Sequence, residues 1–426
     1  MLKKYIGYAG LSHLSLCYAI SSAIKGYDIV LFDFDKKIIN QLNSYLIDFN
    51  EKNILKYFKK YRKNFHLTSQ MDDLKKCKTI FISKDIKTNN NNESDYRPIK
   101  KYISELDKKI PKKISFIIQS QVTPGFCNSL NIKKRDLFYH VETLIFGKAL
   151  ERATHPERII VGYDIKKKKK FDHFYNEYLK KYNCPILKMN YLSAEISKMA
   201  INLSLSSSVT IANLLSRLSD KIGANYLDIE KSLRSDSRIG KYSYLAAGLG
   251  ISGGNIERDL NNFKKIFSKN KISPNFVKSI IKNSSDSKNW IIDCFLEIYK
   301  KNKFKRIAIL GLSYKKDNST IKNSPSINFL KRIKNLKINV GIYDDLIDNF
   351  DNNSISDLKN AIKDAELIII ARDFKNIDFI IKNIFLDNKK IKYCLDPFSL
   401  IDKNSFKNKS NINIIQIGKN RLTNEI

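Results

Sequence analysis

Glycine is scarce, at 15 of 426 residues, and the six cysteines (Cys17, Cys77, Cys127, Cys184, Cys294 and Cys394) stand far apart. They form no C-x-x-C pair and, by spacing, have no histidine placed as a co-ligand, so neither a disulfide framework nor a metal centre is expected. No unbroken apolar run reaches the roughly 18 to 20 residues that span a bilayer. The N-terminus lacks the charged, apolar and small-residue order of a secretory signal. The chain therefore reads as cytoplasmic, with no membrane partner. Acidic residues are few: 43 Asp and Glu face 77 Lys and Arg, a formal net charge of +34. Such an excess invites a nucleic-acid reading, because clustered cations release counterions from phosphates. Here the lysines are dispersed and no base-reading motif accompanies them, so no nucleic-acid partner is expected. The densest run, Lys166 to Lys170, reads as a solvated loop. A basic surface still attracts anionic nucleotides.

What is present is an ordinary folding composition, 42% hydrophobic and 28% charged, in a chain long enough for two or three domains. Runs rich in β-branched and aromatic residues (Lys4 to Ala9, Asp28 to Phe32, Thr79 to Ser83, Ile114 to Gln119, Arg158 to Gly162) alternate with helix-like segments, the signature of parallel βαβ units. The asparagine run Asn89 to Asn92 breaks this pattern as a polar loop. From about Tyr191 to Asn283 the periodicity is helical, opening on a long helix from Ala194 to Ile222. Strand-like runs return at Arg306 to Leu310, Ile338 to Tyr343, Glu366 to Ile370 and Lys392 to Leu395. The fold class expected is α/β: two Rossmann-like parallel-sheet domains, residues 1–186 and 301–426, joined by a central helical segment, 187–300.

The first strand leads into Gly10-Leu11-Ser12-His13-Leu14-Ser15, and a second strand ends at Asp33. A dinucleotide fingerprint asks for G-x-G-x-x-G, with an acid about twenty residues on for the ribose hydroxyls. Two of the three glycines are serines here. The following helix can still offer its N–H groups and dipole to a diphosphate, and Asp33 favours NAD over NADP. The alternative is a plain helix start with Asp33 as a cap. His13 reads as a turn or packing residue.

Four later stretches resemble the UDP-glucose/GDP-mannose dehydrogenase family across nearly the whole chain. Glu142-Thr143-Leu144-Ile145-Phe146-Gly147 with Pro156-Glu157-Arg158-Ile159-Ile160-Val161-Gly162 is similar to P-E-F-L-x-E-G followed by N-P-x-R-I-V-x-G. Ala194-Glu195-Ile196-Ser197-Lys198-Met199-Ala200-Ile201-Asn202 resembles A-E-x-x-K-x-x-x-N. Asp236-Ser237-Arg238-Ile239-Gly240 and then Gly250-Ile251-Ser252-Gly253-Gly254-Asn255-Ile256-Glu257-Arg258-Asp259 resemble D-x-R-I-G and G-F-G-G-S-C-L-P-K-D. Gly311-Leu312-Ser313-Tyr314-Lys315 to Ile321-Lys322-Asn323-Ser324-Pro325 resembles G-L-A-F-K to I-R-E-S-P.

The resemblance implies an NAD-dependent oxidoreductase acting on a nucleotide-sugar, a UDP-sugar first, in polysaccharide synthesis. Lys198 and Asn202, four apart and so on one helix face, would stabilise oxygen charge at the reacting carbon, with Asp259 and Glu142 as site carboxylates. Ser83, Ser120, Gln121 and Lys322 join the Gly10 to Ser15 loop as cofactor contacts. Gly248 and Gly250 in a flexible glycine loop, with Tyr314 and Lys315, join Glu142, Lys198 and Asn202 at the substrate. Arg238 resembles an arginine that reaches a neighbouring subunit's ligand, which implies a homodimer or larger assembly.

The departures are as informative. Family members that form uronic acids oxidise twice, holding the intermediate on a cysteine, and Asn255 stands at that position. An amide cannot serve as this nucleophile. Gln121 replaces a water-positioning threonine, Phe146 a second carboxylate and Phe398 an arginine near the nucleotide-sugar. A single hydride transfer is the expectation, and a binding or regulatory homologue that has lost turnover is the alternative.

Overall fold

The computed structural model describes residues 4–46, 51, 53–86, 89, 94–132, 134–145, 147–167, 171–316, 319–351, 353–355, 357–388, 390–402 and 412–419. Phe146, residues 90–92 of the asparagine run and residues 168–170 of the lysine run lie outside them. The chain divides into two compact units, Met1–Ile201 and Asn202–Ile426.

The first unit holds eight strands: β1 (Tyr5–Ala9), β2 (Asp28–Phe32), β3 (Phe65–Thr68), β4 (Thr79–Ile82), β5 (Ser115–Ile118), β6 (Leu137–His140), β7 (Ile159–Tyr163) and β8 (Ile186–Asn190). Their order in the sheet is β3-β2-β1-β4-β5-β6-β7-β8. The first six follow the doubly wound arrangement of dinucleotide folds. Every pair is parallel except β6 with β7. Alternate residues feed opposite faces: Ile6, Tyr8, Ile29 and Leu31 join one hydrophobic core, and Ala9, Val30, Phe32 and Ile82 the other. Burial on both faces explains why β4 and β5 read as unbroken apolar runs.

The second unit has its own sheet of β9 (Arg306–Leu310), β10 (Asn339–Tyr343), β13 (Leu367–Ile370), β14 (Tyr393–Asp396) and β15 (Asn413–Gln416), while β11 (Asn349–Phe350) and β12 (Asn353–Ser354) form a small separate hairpin. The sheet order is β10-β9-β13-β14-β15, parallel throughout. Cores again lie on both faces. The expected α/β class with two Rossmann-like sheets is the one observed. Between the sheets come the helices Tyr191–Ile222, Tyr226–Ser235, Asn255–Lys269, Asn275–Lys288 and Trp290–Lys301.

Six of the described strands escape the sequence reading: β3, β6, β8, β11, β12 and β15. Each has five residues or fewer and carries at least one polar residue. In β6 that residue is His140, 2% exposed, whose Nδ1 lies 2.9 Å from the Tyr175 hydroxyl. Burial pushes the His140 pKa down to about 3 from the usual 6.5 of a free imidazole. The unfolded chain therefore binds a proton below pH 6.5 that the folded chain refuses. The stability held above pH 6.5 is lost as pH falls towards 3, by about 1.4 kcal/mol at pH 5.5. Urea midpoints of wild type and His140→Asn across pH 5 to 7.5 should diverge in slope, and equal slopes would contradict this account.

The 32-residue helix Tyr191–Ile222 is, among the described residues, the one helix long and apolar enough by length and composition to cross a membrane, a test that core helices of soluble proteins also pass. Interleaved serines hid this from a search for unbroken apolar runs.

Candidate active site

At the end of β1 the chain turns at Gly10, whose φ is +82°. A Cβ there would lie 3.0 Å from the Lys84 Cα, so only glycine lets these two loops approach. Leu11 N–H donates to Asp33 Oδ2 at 2.8 Å and Asp35 N–H to Asp33 Oδ1 at 3.0 Å. Asp33, 4% exposed, thus clamps the loop to the end of β2. The two serines that replace glycines close a reciprocal cap on the helix His13–Ile24: Ser15 N–H donates to Ser12 Oγ and Ser12 N–H to Ser15 Oγ. The Ser12 hydroxyl also donates to the Ser83 carbonyl at 2.9 Å. Space lost with the glycines is thereby compensated by hydrogen bonds that fix the turn. Leu14 packs against the first core.

Ser83 donates to the Gln119 side-chain oxygen at 2.9 Å, and Ser120 to the Lys84 carbonyl at 2.7 Å. Gln121 is half-buried beside them. Gln119 went unnoticed in the sequence; its buried amide nitrogen lacks a hydrogen-bond partner, so a donor is left over at the strand ends. His13 does more than pack. Its Nε2 lies 3.3 Å from Glu51 and 3.7 Å from the Cys17 sulfur, which corrects the reading that no histidine approaches a cysteine. The two lie one helical turn apart. Burial lowers the His13 pKa although Glu51 pulls it up. Among the described residues no cluster of three or more His, Cys, Asp or Glu side chains could hold a metal ion.

In the first unit the Lys198 ammonium meets Glu142 at 3.1 Å, with both side chains at least 85% buried. The Leu144 N–H donates to the other Glu142 oxygen. Three residues before Lys198, the wholly buried Glu195 accepts the N–H groups of Gly125 at 2.6 Å and Cys127 at 2.8 Å. It anchors the long helix to the loop after β5.

In the second unit Asn202, on the same helix, donates to Asp259 Oδ2 at 2.6 Å. The Arg258 Nε lies 3.5 Å from the other Asp259 oxygen. Asn255 is exposed and is the first residue of the helix Asn255–Lys269. The preceding glycine loop was expected to be flexible, and here the structure differs. Gly248 N–H donates to Asn213 Oδ1 at 2.8 Å and Ile251 N–H to Ser284 Oγ at 2.8 Å. A Cβ at Gly250 would lie 2.5 Å from the Ser284 carbonyl oxygen, and one at Gly253 2.9 Å from the Tyr314 hydroxyl. The glycines admit the protein's own neighbouring segments, and the loop is pinned. Tyr314 and Lys322 belong to this seam: Gly253 N–H donates to the Lys322 carbonyl at 3.3 Å. Lys315 and Arg238 are exposed; Arg238 pairs with Asp236 at 2.6 Å and is not gathered with the other site residues. Phe398 presses its ring on Gly248, 2.8 Å from where a Cβ would be.

Models of one family match three consecutive stretches: the NAD binding domain over residues 4–179, the central domain over 192–285 and the UDP binding domain over 308–403. The chain belongs to the UDP-glucose/GDP-mannose dehydrogenase family. Its similar curated relatives include UDP-glucose 6-dehydrogenase of Rickettsia felis, 24% identical over 94% of each chain. Another is UDP-glucose 6-dehydrogenase of Campylobacter jejuni, 28% identical over 80% of this chain and 86% of the relative. Among solved structures, UDP-D-ManNAc dehydrogenase of Pyrococcus horikoshii superposes with a TM-score of 0.82 at 20% identity, covering 97% of this chain and 99% of that one. UDP-glucose dehydrogenase of Pyrobaculum islandicum gives 0.78 at 19% identity over 87% and 90%. These likenesses establish the fold.

As a member of this dehydrogenase family the protein is an NAD-dependent oxidoreductase, and its first unit fits that cofactor. The helix His13–Ile24 starts at the loop that follows β1, and Gln119 holds an unpaired buried donor. The Asp33 oxygens, each holding one loop N–H, keep a further lone pair apiece for a ribose hydroxyl. NAD supplies a hydride acceptor; the chain's part is to hold it and to manage charge at the alcohol.

Proposed function

We propose that this dehydrogenase takes a single hydride from a CH–OH carbon of a nucleotide-sugar, a UDP-sugar in the first instance. The observation carrying the proposal is the pairing of Lys198 with Glu142 and of Asn202 with Asp259; Asn255 cannot form a thiohemiacetal. Lys198 and Asn202 stabilise the oxygen as its proton leaves, and Asp259 with Glu142 completes the proton path. Gly10, Leu11, Ser12, His13, Leu14, Ser15, Asp33, Ser83, Ser120, Gln121 and Lys322 serve NAD; Gly248, Gly250, Tyr314 and Lys315 serve the sugar-nucleotide. The working division is a cofactor domain over residues 1–186, a central helical domain over 187–300 and a nucleotide-sugar domain over 301–426.

Turnover of a UDP- and GDP-sugar panel should yield about one NADH per sugar oxidised. Two NADH with a sugar acid as product is the result that refutes single oxidation.

The site is completed by a second subunit. Leu214, Leu218 and Ile222 on the long helix are 43%, 52% and 66% exposed, an apolar stripe at spacings of four residues that suits pairing with a second copy. Arg238, solvent-facing in one subunit, would then reach the other's ligand. Leu218→Lys should shift the dimer towards monomer in sedimentation and cut activity with it; an unchanged sedimentation coefficient counts against the stripe. A cytoplasmic enzyme is the reading that goes with this proposal.

A further inference from the structure

No sequence motif includes Glu51, which precedes the helix Ile54–Lys60 and whose side chain is 1% exposed. A carboxylate kept out of water is costly unless hydrogen bonds compensate it. Here they come from two separate segments. Gly147 N–H donates to Oε2 at 3.0 Å and Ala149 N–H to Oε1 at 2.9 Å. From the other side the His13 Nε2 lies 3.3 Å from the same Oε2. One oxygen therefore joins the first residue of the helix after the Gly10 turn to the end of the loop that starts at Glu142. The near end of that loop is fixed by Arg152, whose Nε donates to the Thr143 carbonyl at 3.0 Å. The helix that follows it, Ala149–Thr154, is tied to the helix His13–Ile24, where Ser21 donates to the Ala153 carbonyl at 2.7 Å. Capping a short helix would account for the two N–H groups, but not for an ionisable ring of the nucleotide loop on the same oxygen.

We propose that Glu51 is a positioning residue: it relays occupancy of the nucleotide loop to the Glu142 segment, so that NAD binding steadies the Glu142–Lys198 pair before the alcohol arrives. The proposal rests on the reading above that residues 10–15 hold NAD and that Glu142 serves the sugar. The link is electrostatic. A diphosphate at the start of the helix His13–Ile24 adds negative charge beside His13 and favours its protonated ring. Asp85 and Glu142 favour the charged ring as well, while burial opposes it. Cys17 Sγ, 3.7 Å from Nε2 on the same helix, stays a neutral thiol because burial pushes its pKa up. An imidazolium bonds a carboxylate about twice as strongly as a neutral ring does. Fixing Oε2 in this way also fixes the acceptor of the Gly147 N–H. A carboxylate held from both sides leaves the Glu142 segment less freedom to open.

Hydrogen exchange of the full-length protein, read by mass spectrometry with and without saturating NAD, tests the relay. In wild type NAD should slow exchange in residues 10–15 and, by about five- to a hundredfold, in residues 142–149. Glu51→Gln keeps the shape of the side chain but cannot accept both N–H groups and face His13 as an anion, so NAD should then protect residues 10–15 alone. His13→Asn leaves both N–H bonds in place. Residues 142–149 should then keep the protection they have without NAD and lose the NAD-dependent gain, a result that a purely structural cap does not produce. Wild-type protection confined to residues 10–15, or a gain at residues 142–149 that survives either substitution, overturns the relay and leaves the cofactor reading intact. An absence of NAD protection at residues 10–15 in wild type overturns both. Should Glu51→Gln fail to fold, His13→Asn decides.

Discussion

Lys198→Met is expected to lower kcat by about 10²- to 10⁴-fold, the range for removing a positioned group that handles proton and charge in the transition state. The side chain sits 3.1 Å from Glu142 with little solvent around either group. A charge held there before reaction needs no reorganisation as the alcohol oxygen gains negative character. Methionine keeps the length and apolar stem but offers neither charge nor donor. The loss should fall on kcat, with binding of NAD little changed, because the first nucleotide loop is built from other residues. Steady-state and single-turnover NADH formation check it. A variant within tenfold of wild type would remove Lys198 from the chemistry.

Arg372→Met is expected to destabilise the second unit by about 3 to 5 kcal/mol, the usual cost of breaking a buried ion pair from one side. Arg372 and Asp344 are 1% and 0% exposed at their side chains and meet at 3.0 Å. Asp345 also accepts from Arg372. Asp344 in turn holds the loop after β9, accepting Leu312 N–H at 2.7 Å and Ser313 N–H at 2.9 Å. Burial alone would raise the Asp344 carboxyl, but the hydrogen bonds from Arg372 and Ser313 outweigh it and leave its pKa below 3.8. A depressed carboxyl stabilises the fold above the unfolded value and loses that contribution as pH falls through the folded one. In wild type this contribution is therefore whole above about pH 4 and fades below it. Urea unfolding should show the variant's deficit at pH 7 and its narrowing towards pH 3. A deficit under about 1 kcal/mol would mean that solvent reaches Asp344 when the guanidinium is gone.

This second loop repeats the first. Gly311-Leu312-Ser313 after β9 restates Gly10-Leu11-Ser12 after β1, and Asp344 holds it as Asp33 holds the first. The likeness was legible in the letters. The neighbour at each glycine was not: Arg372 makes the close approach to Gly311, 2.6 Å from where a Cβ would be, and Lys84 makes it to Gly10 at 2.8 Å.

The sequence by itself determined the α/β class, the two Rossmann-like sheets and the long helix, because periodicity, turn residues and spacing are local properties of the chain. Tertiary structure decided which groups meet. His13 finds Glu51, Glu195 finds the Gly125 turn, Asn202 finds Asp259 and Arg258 keeps an unpaired nitrogen. Those partners lie dozens of residues apart or depend on burial, and the energy of a buried charge or donor is set by what surrounds it in space rather than by its neighbours along the chain.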